Sequence, residues 1–176
     1  FTHIVQLRSA MKASSNLPFV YFQYFRYEDV RRPDVLYGYP NGLVSFAGAT
    51  LNVPAWFAEG TAQYQRSFMH YDTWDTHRDM LLRSQVLEDR TLDLGAMGGF
   101  YSHNSLERES VYNHGFAFTT YLADRFGEEV LPALTTRLSE WSTFTMRGAL
   151  EAETGVPGEE LHRRWLDTLD TAYTRS

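Results

Sequence analysis

With 176 residues, 43% of them apolar and 15% aromatic, the chain has the size and composition of one folded domain and not of a disordered or collagen-like polymer. A net charge of −6 argues against a nucleic-acid footprint, and no apolar run approaches the roughly 20 residues of a membrane span. Cysteine is absent, which excludes disulfides and thiolate metal sites. The chain opens Phe1-Thr2-His3 without an initiator methionine, so a processed or trimmed piece of a longer protein is expected, with any signal peptide upstream.

Phe1, Ile4, Leu7 and Met11 recur at helical spacing and predict a helix to about Ser14, ended by Asn16-Leu17-Pro18. The aromatic run from Phe19 to Phe25 is a buried strand or another helix; periodicity does not choose. From Arg31 to Leu51 the chain reads as a long irregular connection, punctuated by Pro33, Gly38, Pro40, Gly42 and Gly48. Asn52 as a cap and Pro54 in the first turn then open a helix through Tyr64. Glu59 stands on its largely apolar face, one turn after Trp56. A carboxylate there needs a partner, because an unpaired buried charge is costly.

A third helix is predicted from roughly Asp75 to Glu88. The glycine-containing stretch from Leu94 to Tyr101 lacks the spacing and the lysine of a phosphate-binding loop and reads as a tight turn. The next helix spans about Leu106 to Phe126, with Val111, Gly115, Phe118, Leu122 and Phe126 on one stripe and Gly127 as its stop. Gly115 costs that helix about 1 kcal/mol against alanine and so predicts a close neighbour. Glu128 and Glu129 open a further helix, whose apolar positions are Leu131, Leu134, Leu138 and Trp141. Ser142 or Thr143 caps a short helix ending near Gly155. Pro157 and Gly158 turn into a last one with Leu161, Trp165 and Leu169 facing inward and His162 on the polar, solvated side. The expected fold is a single, mainly α, compact helical domain over residues 1–176.

A zinc hydrolase needs three protein ligands and an open position for water. Histidines at i and i+4 on a helix supply two of them, and the glutamate after the first histidine serves as general base. If the first helix continues backwards, His3 is the last histidine of an H-E-x-x-H motif whose first two residues precede this chain. Glu59 is then the third ligand, 56 residues further on. By residue type alone, His3 also suits an ordinary surface or core position, and Glu59 also suits pairing with an arginine such as Arg83. His70 and His77 imply no third ligand, and Tyr101 and His103 are weaker candidates.

The segment Phe1-Thr2-His3-Ile4-Val5-Gln6-Leu7 resembles the second half of the H-E-[FY]-T-H-[IV]-[VI]-Q-L segment of gluzincin metallopeptidases. Pro54-Ala55-Trp56-Phe57-Ala58-Glu59-Gly60-Thr61-Ala62-Gln63-Tyr64 resembles their P-x-W-[FL]-x-E-G-x-A-x-Y segment. Tyr39-Pro40-Asn41, Asp79-Met80-Leu81-Leu82-Arg83, Tyr112-Asn113-His114-Gly115-Phe116, Tyr121-Leu122 and Phe126-Gly127-Glu128-Glu129 are similar to further blocks. The likeness is to the peptidase-like domains that precede TolB-type β-propellers in bacterial envelope proteins. It implies the C-terminal helical part of a thermolysin- or aminopeptidase-like fold, truncated within the zinc-binding helix. It further implies zinc on His3 and Glu59, peptide or protein substrates, an extracytoplasmic location and a β-propeller beyond Ser176. Tyr112, with Gly115 at Y-x-x-G spacing, is implied as donor to the developing oxyanion, with His114 as runner-up. Otherwise Tyr112 packs against the Glu59 helix and His114 faces water. The rival reading is a degenerate, non-catalytic interaction module in which Glu59 is a structural carboxylate. A third is an unrelated helical domain with His3 and Glu59 far apart.

Overall fold

The computed structural model describes residues 2–12, 21–26, 42–47, 52–71, 73–100 and 103–175. Seven α-helices occur among them: α1 (Thr2–Ser9), α2 (Ala55–Phe68), α3 (Thr76–Leu87), α4 (Ser105–Phe126), α5 (Val130–Ser139), α6 (Met146–Thr154) and α7 (Gly158–Arg175). Strands β1 (Tyr21–Arg26) and β2 (Gly42–Ala47) pair antiparallel, with Tyr24 opposite Val44. The aromatic run thus resolves as strand, and the connection predicted to be irregular contains its partner. The expected helix end at Asn16-Leu17-Pro18 and the Tyr39-Pro40-Asn41 block lie outside the described residues.

Helix boundaries follow local chemistry. Pro54 precedes α2 in extended conformation and its carbonyl accepts from the N–H groups of Phe57 and Ala58. Asn52, expected as the cap, lies two residues short of that position, and Pro54 sits just before the first turn because its fixed φ suits the entry. The Asp75 side chain caps α3 by accepting from the Arg78 N–H at 2.9 Å. Asn104 and Glu107 close a reciprocal capping box at the start of α4, which the chain leaves through Gly127 at φ +87°. Thr145, not Ser142 or Thr143, caps α6, accepting from Gly148 N at 3.1 Å, and Gly155 ends that helix in the left-handed region. The loop from Leu94 contains a single 3-10 turn, Ala96–Gly98, pinned by Asp93 accepting from Ala96 N, as the tight-turn reading expects.

The core forms where α2, α4, α5, α6 and α7 converge on Trp56, Phe57, Phe118, Leu122, Leu134, Leu150, Leu161 and Trp165, all nearly inaccessible. Phe118 is its hub, with ring centroids 5.0 Å from Trp56 and 5.3 Å from Trp165. The result is one compact, mainly α-helical domain. Among the described residues no helix is long and apolar enough to cross a membrane.

The tightest crossing joins α2 to α4. A Cβ on Gly115 would stand 2.5 Å from the Trp56 carbonyl oxygen, and one on Gly60 would stand 2.2 Å from the Gly115 carbonyl oxygen. Two glycines therefore face each other across the pair, and this is the close neighbour that the glycine inside α4 predicts.

Several expectations are corrected. Helix α1 ends at Ser9, short of the expected Ser14, and the buried residues on it and just beyond it are Gln6, Ala10 and Met11, while Ile4 is exposed, because the Gln6 amide docks on the Phe57 carbonyl at 3.4 Å. Phe126 is partly exposed at the end of the α4 stripe, and Trp141, expected among the apolar positions of the following helix, lies beyond its end at Ser139 and is exposed. His162 is buried, its ring centroid 5.6 Å from Phe118 and 5.3 Å from Trp165. The inward stripe of α7 is wide enough to include the residue beside Leu161, and the imidazole's aromatic body packs there although its Nε2 has no hydrogen-bond partner among the described residues.

Candidate functional site

The docking of α1 on α2 through Gln6 carries His3, one turn before Gln6, to the first half of α2. On α2, Trp56 is locked in the core and Gly60 against Gly115, so the intervening Glu59 is turned outward to the rim. The two side chains meet there: His3 Nε2 lies 3.3 Å from Glu59 Oε2, with both partly exposed. The carboxylate's hydrogen bond raises the His3 pKa above its ordinary value, against an opposing effect of burial.

That distance has chemical content. A charge-assisted N–H···O bond settles near about 2.7–2.9 Å. Two donors held about 2.05 Å from one tetrahedral ion stand about 3.3–3.4 Å apart. The 3.3 Å separation is compatible with one edge of a zinc tetrahedron, and both atoms are of the types zinc takes, but the structural pair His103 and Glu107 is spaced equally, so the distance alone does not assign a metal. Among the described residues no group of three or more histidine, cysteine or acidic side chains is gathered for a metal, and His3 with Glu59 makes two. Arg83, the alternative partner considered for Glu59, is engaged elsewhere, donating to the Tyr173 carbonyl at 3.2 Å and lying over that ring.

Tyr112 projects from α4 with its ring stacked on Phe100 at 5.3 Å, still a third exposed. Burial, and then the negative charge of Glu59, raise the pKa of its phenol, which keeps it a hydrogen-bond donor at neutral pH on the Glu59 side of the fold. His114 is different. It is inaccessible, its Nε2 bonded to Gln85 Oε1 at 2.8 Å and its ring set edge-on to Trp165, so it neither faces water nor reaches a solvent-open site. Two residues on from Tyr112 along α4, it falls on the core-facing side. His103 is likewise structural, tying the 3-10 turn to α4 through Ala96 O at 2.7 Å and Glu107 at 3.3 Å. Tyr101 lies outside the described residues.

Beside Tyr112 opens a polar cleft of about 570 Å³ between α2, α3 and α4, bordered by Gln63, His77, Arg78, Arg108 and Asn113. Residue types gave no notice of it, although Glu59–Gln63 and Arg108–Tyr112 both have the i, i+4 spacing that aligns side chains along one helix face. Arg108 donates through Nε to the Phe100 carbonyl at 3.3 Å, which fixes the guanidinium beside the tyrosine. His70 is exposed at the end of α2, where it takes positive φ.

No family model matches the chain, and the comparisons with curated proteins and with solved structures returned no match either.

Proposed function

We propose that this chain is the helical part of a gluzincin-type zinc peptidase-like domain, in which His3 and Glu59 are two of the three zinc ligands. The observation that carries the reading is the 3.3 Å approach of His3 Nε2 to Glu59 Oε2 from helices 56 residues apart in sequence. The reading assigns the third ligand and the general base to the two residues immediately before Phe1, as the H-E-x-x-H resemblance implies.

A zinc ion held there would act as a Lewis acid and make a bound water nucleophilic near neutral pH. The chain's own residues supply the remainder. His3 presents Nε2 from the end of α1, and Glu59 presents a carboxylate whose direction the Trp56 and Gly60 contacts fix. Tyr112, protonated at neutral pH, donates a hydrogen bond to the oxyanion that develops at the scissile carbonyl. The cleft bordered by Gln63, Arg108 and Asn113 receives a peptide beside it. Peptide or protein substrates, an extracytoplasmic envelope location and a following β-propeller belong to the same proposal and rest on the resemblance.

The test is zinc content and zinc affinity of the protein with its upstream residues, compared with Glu59→Gln and His3→Gln. Loss of zinc in both variants supports the ligand assignment, and unchanged zinc in Glu59→Gln removes that residue from the site. Codons before Phe1 that do not encode His-Glu turn the reading into its rival, a non-catalytic interaction module in which the pair is a structural ion pair.

A further inference from the structure

A second hollow, of about 400 Å³, lies between α3, α4 and α7. Its walls are Leu82 and Trp165, both almost wholly buried, together with the partly exposed rings of Trp74, Tyr121 and Tyr173. The charged groups in its lining are Asp79 and Asp124, and none of the described lining residues is basic. Asp79 is oriented by two donors on the same oxygen, the Tyr173 hydroxyl at 2.9 Å and the Trp74 indole N–H at 3.4 Å. Its other oxygen has no hydrogen-bond partner among the described residues, and neither has the exposed Asp124 carboxylate. Arg83 lies over the Tyr173 ring and is bonded to that residue's carbonyl, outside the lining.

We propose that this hollow binds a small organic ammonium ion, its alkyl groups against the aromatic walls and its charge beside Asp79 and Asp124. The chemistry of the lining excludes the other classes. A neutral apolar ligand would strip water from the half-buried Asp79 carboxylate without replacing it. A hard metal cation takes six or more oxygens, whereas the lining sets two carboxylates and a few hydroxyls among largely aromatic and aliphatic walls. An anion is repelled. An ammonium ion with an apolar surface matches both features, and ring faces within about 6 Å of the charge add a cation–π attraction. The volume falls in the range of about 300–1,000 Å³ usual for small-molecule sites. The Tyr173 phenol, held above its ordinary pKa by burial and by its bond to Asp79, stays a donor and keeps that carboxylate aimed. This site is independent of the zinc reading.

The experiment is a titration of the protein with choline at constant ionic strength, following the indole N–H resonances of its four tryptophans. The expected result is a saturable shift at Trp74 and Trp165, and at least about tenfold weaker binding of 3,3-dimethylbutanol, the uncharged isostere. Asp124→Asn removes a charge without touching an internal bond and is expected to weaken choline by about three- to tenfold. Asp79→Asn is expected to weaken it further. Equal binding of choline and its isostere, an unchanged affinity in Asp124→Asn, or no saturable shift at Trp74 and Trp165 would overturn the proposal.

Discussion

Gly115→Ala is a demanding test of the α2–α4 crossing, because two simple accounts predict opposite signs. Helix propensity alone says that alanine inside α4 stabilises by about 1 kcal/mol. The geometry says otherwise. The new Cβ would lie 2.5 Å from the Trp56 carbonyl oxygen and 3.0 Å from its Cα, where ordinary contacts begin at 3.4 Å. Both obstacles are backbone, so no side chain can swing away. The helices must part by about 0.9 Å, which forfeits a quarter to a half of the dispersion attraction at each contact it opens. Trp56 against Phe118, at 5.0 Å between centroids, is the first such contact. Overpacking of a tight core costs about 1–3 kcal/mol, and an unyielding backbone belongs at the top of that range. Setting about 3 against the propensity gain of about 1 leaves a net loss of about 2 kcal/mol. For a chain of this size that is a fall in Tm of roughly 4–8 °C. Thermal and urea unfolding measure it, with Gly98→Ala as control, since a Cβ there meets nothing within 4 Å. A Gly115→Ala protein as stable as wild type, or more stable, refutes the close-crossing argument.

Burial and the neighbouring His162 push the His114 pKa down to about 4 from 6.5. As the pH falls below 6.5, the unfolded chain takes up a proton at this site that the folded chain refuses, so stability declines towards pH 4, by up to roughly 3 kcal/mol from this residue. His114→Gln should flatten that slope in urea titrations at several pH values, and an unchanged slope would deny the imidazole its part. In the metal-free protein, Glu59→Gln should lower the raised His3 pKa in an NMR titration, since the carboxylate's hydrogen bond is the largest cause of the increase. The pair's contribution to stability is present below the ordinary histidine pKa and is lost as the pH rises through the raised one; a His3 titration unmoved by Glu59→Gln would contradict the 3.3 Å contact. Tyr112→Phe in a cleaving parent protein should lower kcat by about 10²–10³-fold while zinc content stays constant, and full activity in that variant removes the tyrosine from the oxyanion role.

Much of the helical order was legible because its signals are local. Asp75 capping α3, Gly127 ending α4 and Gly155 ending α6 each act within a turn of their own position. The capping box Asn104-x-x-Glu107 was equally local and was passed over, which set the predicted start of α4 one residue late. What failed was rotation about the helix axis. Ile4 and His162 were assigned faces from apolarity alone, yet the face that packs on α1 is chosen by a polar bond, Gln6 to the Phe57 carbonyl, and the face on α7 admits an imidazole among rings. The fate of His114 also depended on tertiary detail, since only the presence of Gln85 and Trp165 across the interface shows that the residue points inward. Glu59 was conspicuous as a lone carboxylate among apolar neighbours, but the polar cleft beside Tyr112 was not, because it draws on three helices.

The site's geometry is inherited from the core. Trp56 under Phe118 sets the rotation of α2, Gly60 against Gly115 sets its distance from α4, and Glu59 lies between those two fixed points. Tyr112 lies one turn before Gly115 on the other helix. The separation of carboxylate and phenol is therefore governed by glycines that touch neither. A β-carbon at Gly115 moves both groups apart with the helices, whereas Phe in place of Tyr112 leaves the crossing alone. If the carboxylate is a zinc ligand and the phenol an oxyanion donor, Gly115→Ala should lower kcat while zinc affinity, set by α1 on α2, changes little, in a protein still folded at the assay temperature. If the phenol acts independently of the crossing, kcat survives the substitution intact. A loss of kcat at constant zinc content would make the close packing of small residues at this helix contact a requirement of the chemistry as well as of stability.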